Sequence, residues 1–248
     1  MKRNPFSLVG KNILVTGASS GIGRSVAIEC SKMGAKLIIT GRNQQRLTET
    51  YELLDGKEHL AIVADLTRNE DLDGLVEQLP LLNGLVHSAG INKRMVCQFI
   101  KEDDMNHILN INLLAPILLQ KKILKKKLLA NSSSILFLSS LASHIPSMGN
   151  AVYSASKGAI CSYSKVLALE LAPKKIRVNC IHPGMVWTEL LVKTSISEDI
   201  YKEDENRYPL GRYGMPSDIA FLTIYLLSDA SEWMTGSSLF IDGGSSLI

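Results

Sequence analysis

The chain reads NILVTGASSGIG over residues 12–23. Its first five residues, mostly apolar and β-branched, are typical of a strand that is covered on both faces of a parallel sheet. The segment Ser19–Met33 predicts a helix, because it opens on Ser and Gly and stops before Gly34. Three glycines at this junction permit a tight turn, a close approach to a pyrophosphate and close packing of the helix. The stretch therefore predicts a βα unit that binds a dinucleotide at a helix N-terminus, where the dipole and free N–H groups favour phosphate.

Apolar runs of the same kind recur along the chain and alternate with segments long enough for crossover helices. This repeated βα pattern predicts a doubly wound, Rossmann-type α/β domain with about seven parallel strands flanked by helices. In such sheets the ligand binds beyond the carboxyl ends of the strands, so functional residues should directly follow strands. The predicted strands are Asn12–Thr16, Lys36–Thr40, Leu60–Ala64, Gly84–His87, Ser134–Leu138, Arg177–Ile181 and Ser238–Ile241.

Length and composition limit the classes of protein to consider. The 248 residues suit a single domain, 1–248, and a net charge of +3 is too small to argue for nucleic-acid or membrane binding. No apolar stretch reaches the roughly 18 residues of a membrane span, and no secretory signal is evident, so we expect a soluble, cytoplasmic protein. The cysteines are scattered and the histidines lack ligand spacing, which predicts free thiols and no metal site. The four cysteines are Cys30, Cys97, Cys161 and Cys180.

The glycine spacing is G-x-x-x-G-x-G rather than the more common G-x-G-x-x-G. With this spacing, residues 16–23 resemble the cofactor loop of the short-chain dehydrogenase/reductase family, and later motifs follow that family in order along nearly the whole chain. The pattern is closest to the 3-oxoacyl-[acyl-carrier-protein] reductase group, and it is shared by many sugar, steroid and polyol dehydrogenases. The resemblance implies that the cofactor contacts Gly17, Ser19, Ser20, Gly21, Ile22 and Gly23.

The end of the second predicted strand bears on the choice of cofactor. NAD-preferring members of the family tend to carry an acidic residue at the position of Gly41, and here Arg42 follows that glycine. A guanidinium suits a 2′-phosphate, so NADP(H) is favoured and NAD(H) stays possible. The resemblance implies further cofactor contacts from Asp65 and Leu66 at the adenine, from Ala89 and Gly90 at the ribose, and from Pro183, Gly184, Val186 and Thr188 at the nicotinamide.

Two residues after the fourth predicted strand depart from the family. His87 and Ser88 stand where the family usually has two asparagines. Both side chains can form hydrogen bonds. We interpret them as bracing for the loop rather than as catalytic groups.

Tyr153 and Lys157 form a Y-x-x-x-K motif and lie four residues apart on one face of a predicted helix. A carbonyl that accepts hydride at carbon needs a proton at oxygen, and a tyrosine of ordinary pKa, about 10, needs help to act near neutral pH. A lysine about 4 Å away contributes on the order of 4 kcal/mol, which would lower the tyrosine pKa by up to about three units.

Ser140 and Asn112 complete the family's catalytic set. Ser140 ends the fifth predicted strand at the family's spacing from Tyr153, and Asn112 matches the family's asparagine better than Asn110 does. The resemblance implies that Tyr153 transfers the proton and that Lys157 supports it and binds the ribose. It also implies that Ser140 holds the substrate oxygen and that Asn112 holds a relay water.

Substrate specificity is predicted to reside in two further segments. Residues 144–148 lie between Ser140 and Tyr153, and His144 is expected to line the substrate pocket there, with Trp187 as a wall. Near 189–208 the strand and helix signals fade and charge increases, and the resemblance implies a substrate lid. Its start, Leu190-Leu191-Val192, could cover an apolar or acyl substrate or rest on its own core.

The partners follow from charge and from the resemblance. The basic run 121–127 is either a solvated helix face or a docking surface for an acidic acyl carrier protein. The resemblance implies a homotetramer. We therefore predict an NAD(P)(H)-dependent ketoreductase like the 3-oxoacyl-[acyl-carrier-protein] reductases, which interconverts a carbonyl and a secondary alcohol.

Two other functions stay open. The first is a sugar, polyol or other secondary-alcohol dehydrogenase of the same family. The second is a non-catalytic NADP(H)-binding regulator, which would be expected to lose Tyr153 or Lys157, and this chain keeps both. The divergent enoyl reductases of the family space their tyrosine and lysine more widely.

Overall fold

Seven strands form one parallel sheet in the described part of the chain. The structure is a computed structural model that describes residues 4–189 and 198–248. The predicted lid start, Leu190-Leu191-Val192, lies outside these residues. The strands are β1 Asn12–Thr16, β2 Lys36–Gly41, β3 Leu60–Val63, β4 Leu82–His87, β5 Leu129–Leu138, β6 Arg177–Pro183 and β7 Ser238–Ile241, in the order β3-β2-β1-β4-β5-β6-β7.

Helices connect these strands as the βα pattern predicts. No helix in the described ranges is long and apolar enough to cross a membrane. The α-helices are α1 Gly21–Lys32, α2 Gln44–Glu52, α3 Asn69–Glu77, α4 Glu102–Leu109, α5 Ala115–Lys125, α6 Ala151–Leu171, α7 Glu198–Glu205 and α8 Pro216–Leu227.

Two apolar layers cover the two faces of the sheet. Along β1, Ile13 and Val15 belong to one buried cluster and Leu14 belongs to the other, because successive side chains of a strand point to opposite faces. The first cluster takes its helical residues from α1, α2 and α8, and the second takes them from α3, α5 and α6. The predicted doubly wound fold is therefore confirmed.

The strand bounds differ from the prediction mainly in β5. This strand begins at Leu129 rather than Ser134; its first four residues are partly or fully exposed, and the three that follow Ala130 before the predicted start are polar. Leu129 still pairs with Leu82 of β4, and the register shifts between Leu82 and Gly84. Backbone hydrogen bonds to β4 thus extend β5 beyond its apolar core. In this extension the side chains show no apolar pattern from which a strand could be predicted.

The chain leaves the two central strands toward opposite faces of the sheet. After β1 it enters α1, on the face of one apolar cluster, and after β4 it reaches α5, on the face of the other. β1 and β4 are nonetheless hydrogen-bonded neighbours. This is the topological switch point of a doubly wound sheet, where a crevice opens at the carboxyl ends of the strands.

Candidate active site

A cleft of about 830 Å³ lies at the carboxyl ends of the strands and is lined by residues from the whole length of the chain. Three of the four predicted catalytic residues line it: Ser140, Tyr153 and Lys157. Every predicted cofactor contact also lines it, namely Gly17, Ser19, Ser20, Gly21, Ile22, Gly23, Arg42, Asp65, Leu66, Ala89, Gly90, Tyr153, Lys157, Pro183, Gly184, Val186 and Thr188.

The floor of the cleft is formed where the loops after β1 and β4 meet. Gly17 has a φ of +66°, and a Cβ on it would lie 2.7 Å from the Cα of Ala89. The hydroxyl of Thr16 accepts hydrogen bonds from the backbone N–H groups of Ser88 (3.1 Å) and Ala89 (3.2 Å). A side chain at position 17 would therefore separate two loops that a hydrogen-bonded threonine holds together.

The N-terminus of α1 faces the same cleft. The helix begins at Gly21, and the side chain of Ser20 makes no capping hydrogen bond to it. The first N–H groups of a helix have no partner within it, and their dipole attracts anions. Together with the contact between Gly17 and Ala89, this leaves backbone donors and open space where a dinucleotide pyrophosphate fits.

Arg42 and Asp65 lie at the end of the cleft formed by β2 and β3. Burial tends to raise the pKa of Asp65, but hydrogen bonds from Thr67 and the positive charge of Arg42 hold that pKa below its ordinary value. Thr67 donates to Oδ1 of Asp65 from its backbone N–H at 3.0 Å and from its hydroxyl at 2.7 Å. This end of the cleft therefore presents one fixed carboxylate beside one guanidinium.

Tyr153 and Lys157 lie in the first two turns of α6, four residues apart as the motif predicts. The Lys157 ammonium is buried, lies 5.8 Å from the centre of the Tyr153 ring and donates to the carbonyl oxygen of Leu138 at 2.7 Å. Ser140 lies two residues beyond β5, and its hydroxyl accepts from the N–H of Ala142 at 3.2 Å. The end of β5 thus brings Ser140 to the start of α6.

Burial controls the titration of this pair. It raises the pKa of Tyr153 above its ordinary value, and the hydrogen bond with Ser140 only partly opposes this effect. Burial also lowers the pKa of Lys157 from 10.5 to about 8. The expected net lowering of the Tyr153 pKa was therefore wrong, because the desolvation of a buried phenolate outweighs the hydrogen bond that opposes it.

Asn112 does not line the cleft but supports its wall from behind. It is buried within a π-helical turn, Asn110–Leu114, whereas Asn110 is exposed. Its side chain accepts from the N–H of Ile91 at 2.8 Å and donates to the carbonyl of Ile91 at 2.9 Å and to the hydroxyl of Ser156 at 3.1 Å. Asn112 therefore joins the loop after β4 to α6.

Gly90 allows the catalytic groups to approach that loop. A Cβ at this position would lie 3.2 Å from Nζ of Lys157 and 3.3 Å from Oδ1 of Asn112. Any side chain would thus push against both groups at once. The small residue expected beside the cofactor ribose also makes room for the lysine.

The two predicted substrate residues outside the catalytic set do not line the cleft. The ring of His144 packs against His182 and Phe240 at 4.8 and 4.9 Å, so it faces the sheet edge. Trp187 packs on Tyr201 and Tyr213, and its indole N–H donates to Glu205 at 2.8 Å. Trp187 therefore anchors α7, within the predicted lid segment, to the rest of the chain.

Several lining residues were not predicted. Arg94, Asn92, Tyr201 and Tyr208 all face the cleft. Asn92 and Arg94 follow the end of β4 by a few residues, so the rule that functional residues follow strands could have predicted that they line the cleft. The two tyrosines come from a segment without a recognisable motif, and only the fold brings them to the site.

Comparison with known proteins gives a consistent result. A family model described as Enoyl-(Acyl carrier protein) reductase matches residues 17–246. The chain is 33% identical over 240 residues to a 3-oxoacyl-[acyl-carrier-protein] reductase of Rickettsia bellii, covering 96% of this chain and 98% of the relative. It is 35% identical over 239 residues to a protein of the same name from Homo sapiens, covering 94% and 97%.

Among solved structures, one described as a proposed NAD(P)-dependent gluconate 5-dehydrogenase from Beutenbergia cavernae is 30% identical. Its TM-score is 0.89, and the alignment covers 99% of this chain and 100% of that chain. That structure contains bound NADP at low occupancy.

His87, which the sequence predicts to brace the loop after β4, has its ring buried in the core. It is buried, stacks on Phe137 with ring centres 4.5 Å apart, and its Nε2 lies 3.4 Å from Oε1 of Gln120. Its Nδ1 has no hydrogen-bond partner among the described residues. Burial lowers the pKa of His87 from 6.5 to about 4, because a proton at Nδ1 would place an unpaired charge in the core.

We expect His87 to make the fold sensitive to acid. Above pH 6.5 the imidazole is neutral in both states, and between 6.5 and about 4 only the unfolded chain takes up the proton, so stability falls with pH over that range. The full loss is about 3 kcal/mol at about 1.4 kcal/mol per pKa unit. Urea unfolding at pH 7 and pH 5 should show that His87→Asn lacks about 2 kcal/mol of the wild-type loss. The exposed His107→Asn serves as the control, and an equal loss in wild type and His87→Asn would contradict this account.

Proposed function

The chain is an oxidoreductase of the short-chain dehydrogenase/reductase family, and we propose that it reduces a 3-oxoacyl thioester to the 3-hydroxyacyl thioester with NADPH. The shared cleft carries the proposal, because Ser140, Tyr153 and Lys157 line it together with the glycine loop. The relatives from Rickettsia bellii and Homo sapiens are named for this substrate class. The three residues between Tyr153 and Lys157 also differ from the wider spacing of the divergent enoyl reductases.

The nicotinamide cofactor supplies the hydride when bound, with the glycine loop and residues 183–188 holding it. Ser140 donates a hydrogen bond to the carbonyl oxygen and stabilises the negative charge that develops there. Tyr153, protonated at neutral pH because burial raises its pKa, gives its proton to the same oxygen. Reduction requires this neutral phenol.

Lys157 then helps to restore the proton of Tyr153. Its ammonium also binds the ribose hydroxyls and stabilises the phenolate that forms. A cavity of about 10 Å³ lies beside Lys157 and Asn112, near the lower limit of the space that one water needs. A water there would be the relay between Lys157 and solvent that the family resemblance implies, and Asn112 positions the loop beside it.

The cofactor preference rests on position 41 and its neighbour. Gly41 offers no carboxylate to the ribose hydroxyls, and a Cβ at this position would lie 3.0 Å from the hydroxyl of Ser19, which would have to shift to admit a side chain. Arg42 lines the cleft beside Asp65 and is the cation that would receive a 2′-phosphate. These two observations support NADP(H) over NAD(H).

The substrate end of the cleft contains Arg94, a cation that sequence reasoning missed. A cation there favours anionic substrates, including the phosphopantetheine arm of an acyl carrier protein. A sugar acid is the second candidate, favoured by the similarity to the gluconate 5-dehydrogenase structure. In the basic run, Lys122 and Lys126 form ion pairs with Asp73 and Glu77 of α3, so a docking surface would depend on the remaining lysines.

The larger assembly stays a prediction. Exposed apolar side chains on α6 and at the C-terminus, such as Leu169 and Leu247, support the predicted homotetramer. The chain is also proposed to be a single domain over 1–248, with a lid near 189–208 and a cytoplasmic location. These three proposals rest on the sequence and on the family resemblance. The hydrogen bond between Trp187 and Glu205 supports the lid by giving α7 a fixed base.

Tyr153→Phe removes the proton donor and keeps the ring. General acid catalysis contributes about a hundredfold or more to rate, so we expect kcat to fall by at least about that factor. Titration of NADPH fluorescence should show nearly unchanged cofactor binding. Tyr163→Phe is the matched control, because Tyr163 lies on the same helix, packs on Phe137 and does not line the cleft. A Tyr153→Phe enzyme with normal turnover would exclude this role.

Arg42→Ala removes the cation proposed to bind the 2′-phosphate. A hydrogen bond to a charged group is worth about 1.5–3 kcal/mol, so the KM for NADPH should rise about tenfold or more while that for NADH stays nearly constant. Arg68→Ala, an exposed arginine that pairs with Glu70, should change neither value. A parallel rise for both cofactors in Arg42→Ala would point to a general loss of folding or binding instead.

Initial rates against a substrate panel test the substrate class. With NADPH we expect kcat/KM for acetoacetyl thioesters to exceed that for keto sugar acids and simple ketones by about tenfold or more, which corresponds to about 1.4 kcal/mol. Each substrate is run beside Tyr153→Phe to subtract reduction that does not use the site. A preference for keto sugar acids would instead establish the second candidate.

A further inference from the structure

Three potential metal ligands meet behind the catalytic helix. The Sγ atoms of Cys161 and Cys180 and a ring nitrogen of His182 all lie within 4.8 Å of one another, and all three residues are buried. The Sγ of Cys161 lies 3.6 Å from Nε2 of His182. None of the three lines the active-site cleft. The cluster therefore has no part in the reaction proposed above.

The fold brings together residues that are distant or unremarkable in sequence. Cys180 and His182 are two residues apart on β6, so their side chains point to the same face of the sheet. That face is covered by α6, where Cys161 lies one turn beyond Lys157. The sequence prediction of no metal site considered only neighbours along the chain.

The separations suit a tetrahedral zinc ion. Zinc binds cysteine sulfur at about 2.3 Å and histidine nitrogen at about 2.0–2.1 Å, so at a tetrahedral angle the two donors are about 3.6 Å apart. The observed distance between Cys161 and His182 has this value. Two thiolates would also balance the charge of Zn²⁺, so a buried site would carry no net charge from these groups.

The second ring nitrogen of His182, Nδ1, has the kind of hydrogen-bond acceptor that metal-binding histidines use. Nδ1 of His182 lies 3.3 Å from the backbone carbonyl of Ser140 and 3.2 Å from the hydroxyl of Ser143. A carbonyl can only accept, so this contact places the proton on Nδ1 and leaves the lone pair of Nε2 directed at Cys161. A ligating histidine almost always donates its second N–H to such an acceptor.

A fourth potential donor, the hydroxyl oxygen of Ser238, lies beside this cluster. The hydroxyl of Ser238 lies 3.3 Å from the Sγ of Cys161, and Ser238 pairs with Cys180 in the ladder between β6 and β7. Structural zinc sites are closed by four protein ligands, whereas catalytic sites keep one position for water or substrate. The partly buried hydroxyl of Ser238 is the nearest oxygen that could complete a four-coordinate shell, and the position of the cluster outside the cleft fits a structural rather than a catalytic ion.

We propose that Cys161, Cys180 and His182 form a structural zinc-binding site that fixes α6 against β6 and β7. Binding releases one proton from each thiol and leaves the redox state of the sulfurs unchanged. Through His182, the site also holds the backbone carbonyl of Ser140. The ion would thus stabilise the part of the sheet that positions Ser140, Tyr153 and Lys157, without touching substrate.

The test uses the full chain, expressed with added zinc and purified without a metal-affinity step. We expect mass spectrometry of the metal content to find one zinc per chain, and Co²⁺ substitution to give a thiolate-to-cobalt absorption band with tetrahedral features. Cys161→Ala and Cys180→Val should both lose the metal. Cys30→Ala is the matched control, because Cys30 is equally buried but lies in α1, and it should keep the metal.

Stability provides a readout that does not depend on enzyme activity. Removing zinc with a chelator should lower the melting temperature of the wild type and of Cys30→Ala by about 5 °C or more, with recovery on adding zinc back. Cys161→Ala should not respond to either treatment. Wild-type chains that bind neither zinc nor cobalt would overturn the proposal, and so would a Cys161–Cys180 disulfide or two reduced, hydrogen-bonded thiols in the zinc-supplemented protein.

Discussion

The close approach of two backbone segments at the switch point governs the rest of the active site. Gly17 and Ala89 come so near that a single Cβ would separate them, and the hydroxyl of Thr16 holds the two loops in that position. Because the chain departs from β1 and β4 toward opposite faces, the described residues leave a cleft open above these two strands. The cleft, the exposed start of α1 and the wall that carries Gly90 all follow from this contact.

The catalytic centre combines this geometry with an unusual electrostatic balance. A buried lysine and a buried tyrosine are both driven toward their neutral forms, with the lysine pKa lowered to about 8. The Lys157 side chain is held in this environment by its hydrogen bond to the carbonyl of Leu138. The charge of Lys157 alone predicts a lowered pKa for Tyr153, but the cost of placing a phenolate in this buried environment raises that pKa instead.

Sequence reasoning succeeded where a residue's role is set by backbone pattern and spacing. The apolar cores of the strands, the glycine loop and the Tyr153–Lys157 spacing all predicted elements that the structure has, and the residues proposed for the cofactor share one cleft. It failed where the role of a residue depends on the orientation of its side chain or on contacts between distant elements. Chain position placed His144 and Trp187 near the pocket, but their rings pack against other aromatic residues. Arg94 and the cluster around His182 depend on contacts between elements, which periodicity does not encode.

The hydrogen bond from Ser88 to Thr16 joins residues 72 positions apart and has a consequence for how the protein is made. During synthesis the glycine loop leaves the ribosome early, but its partner loop follows only after three further strands and the helices between them, and α6 and β6 come later still. Contacts with such separations form slowly, since the closure of a long loop precedes any gain from it. A chain that has not yet emerged beyond β4 therefore lacks the contact that forms the floor of the nucleotide site. Only a chain that has reached β6 and the segment after it contains all the residues that line the cleft, and binding of the cofactor then shifts the folding equilibrium toward the native protein.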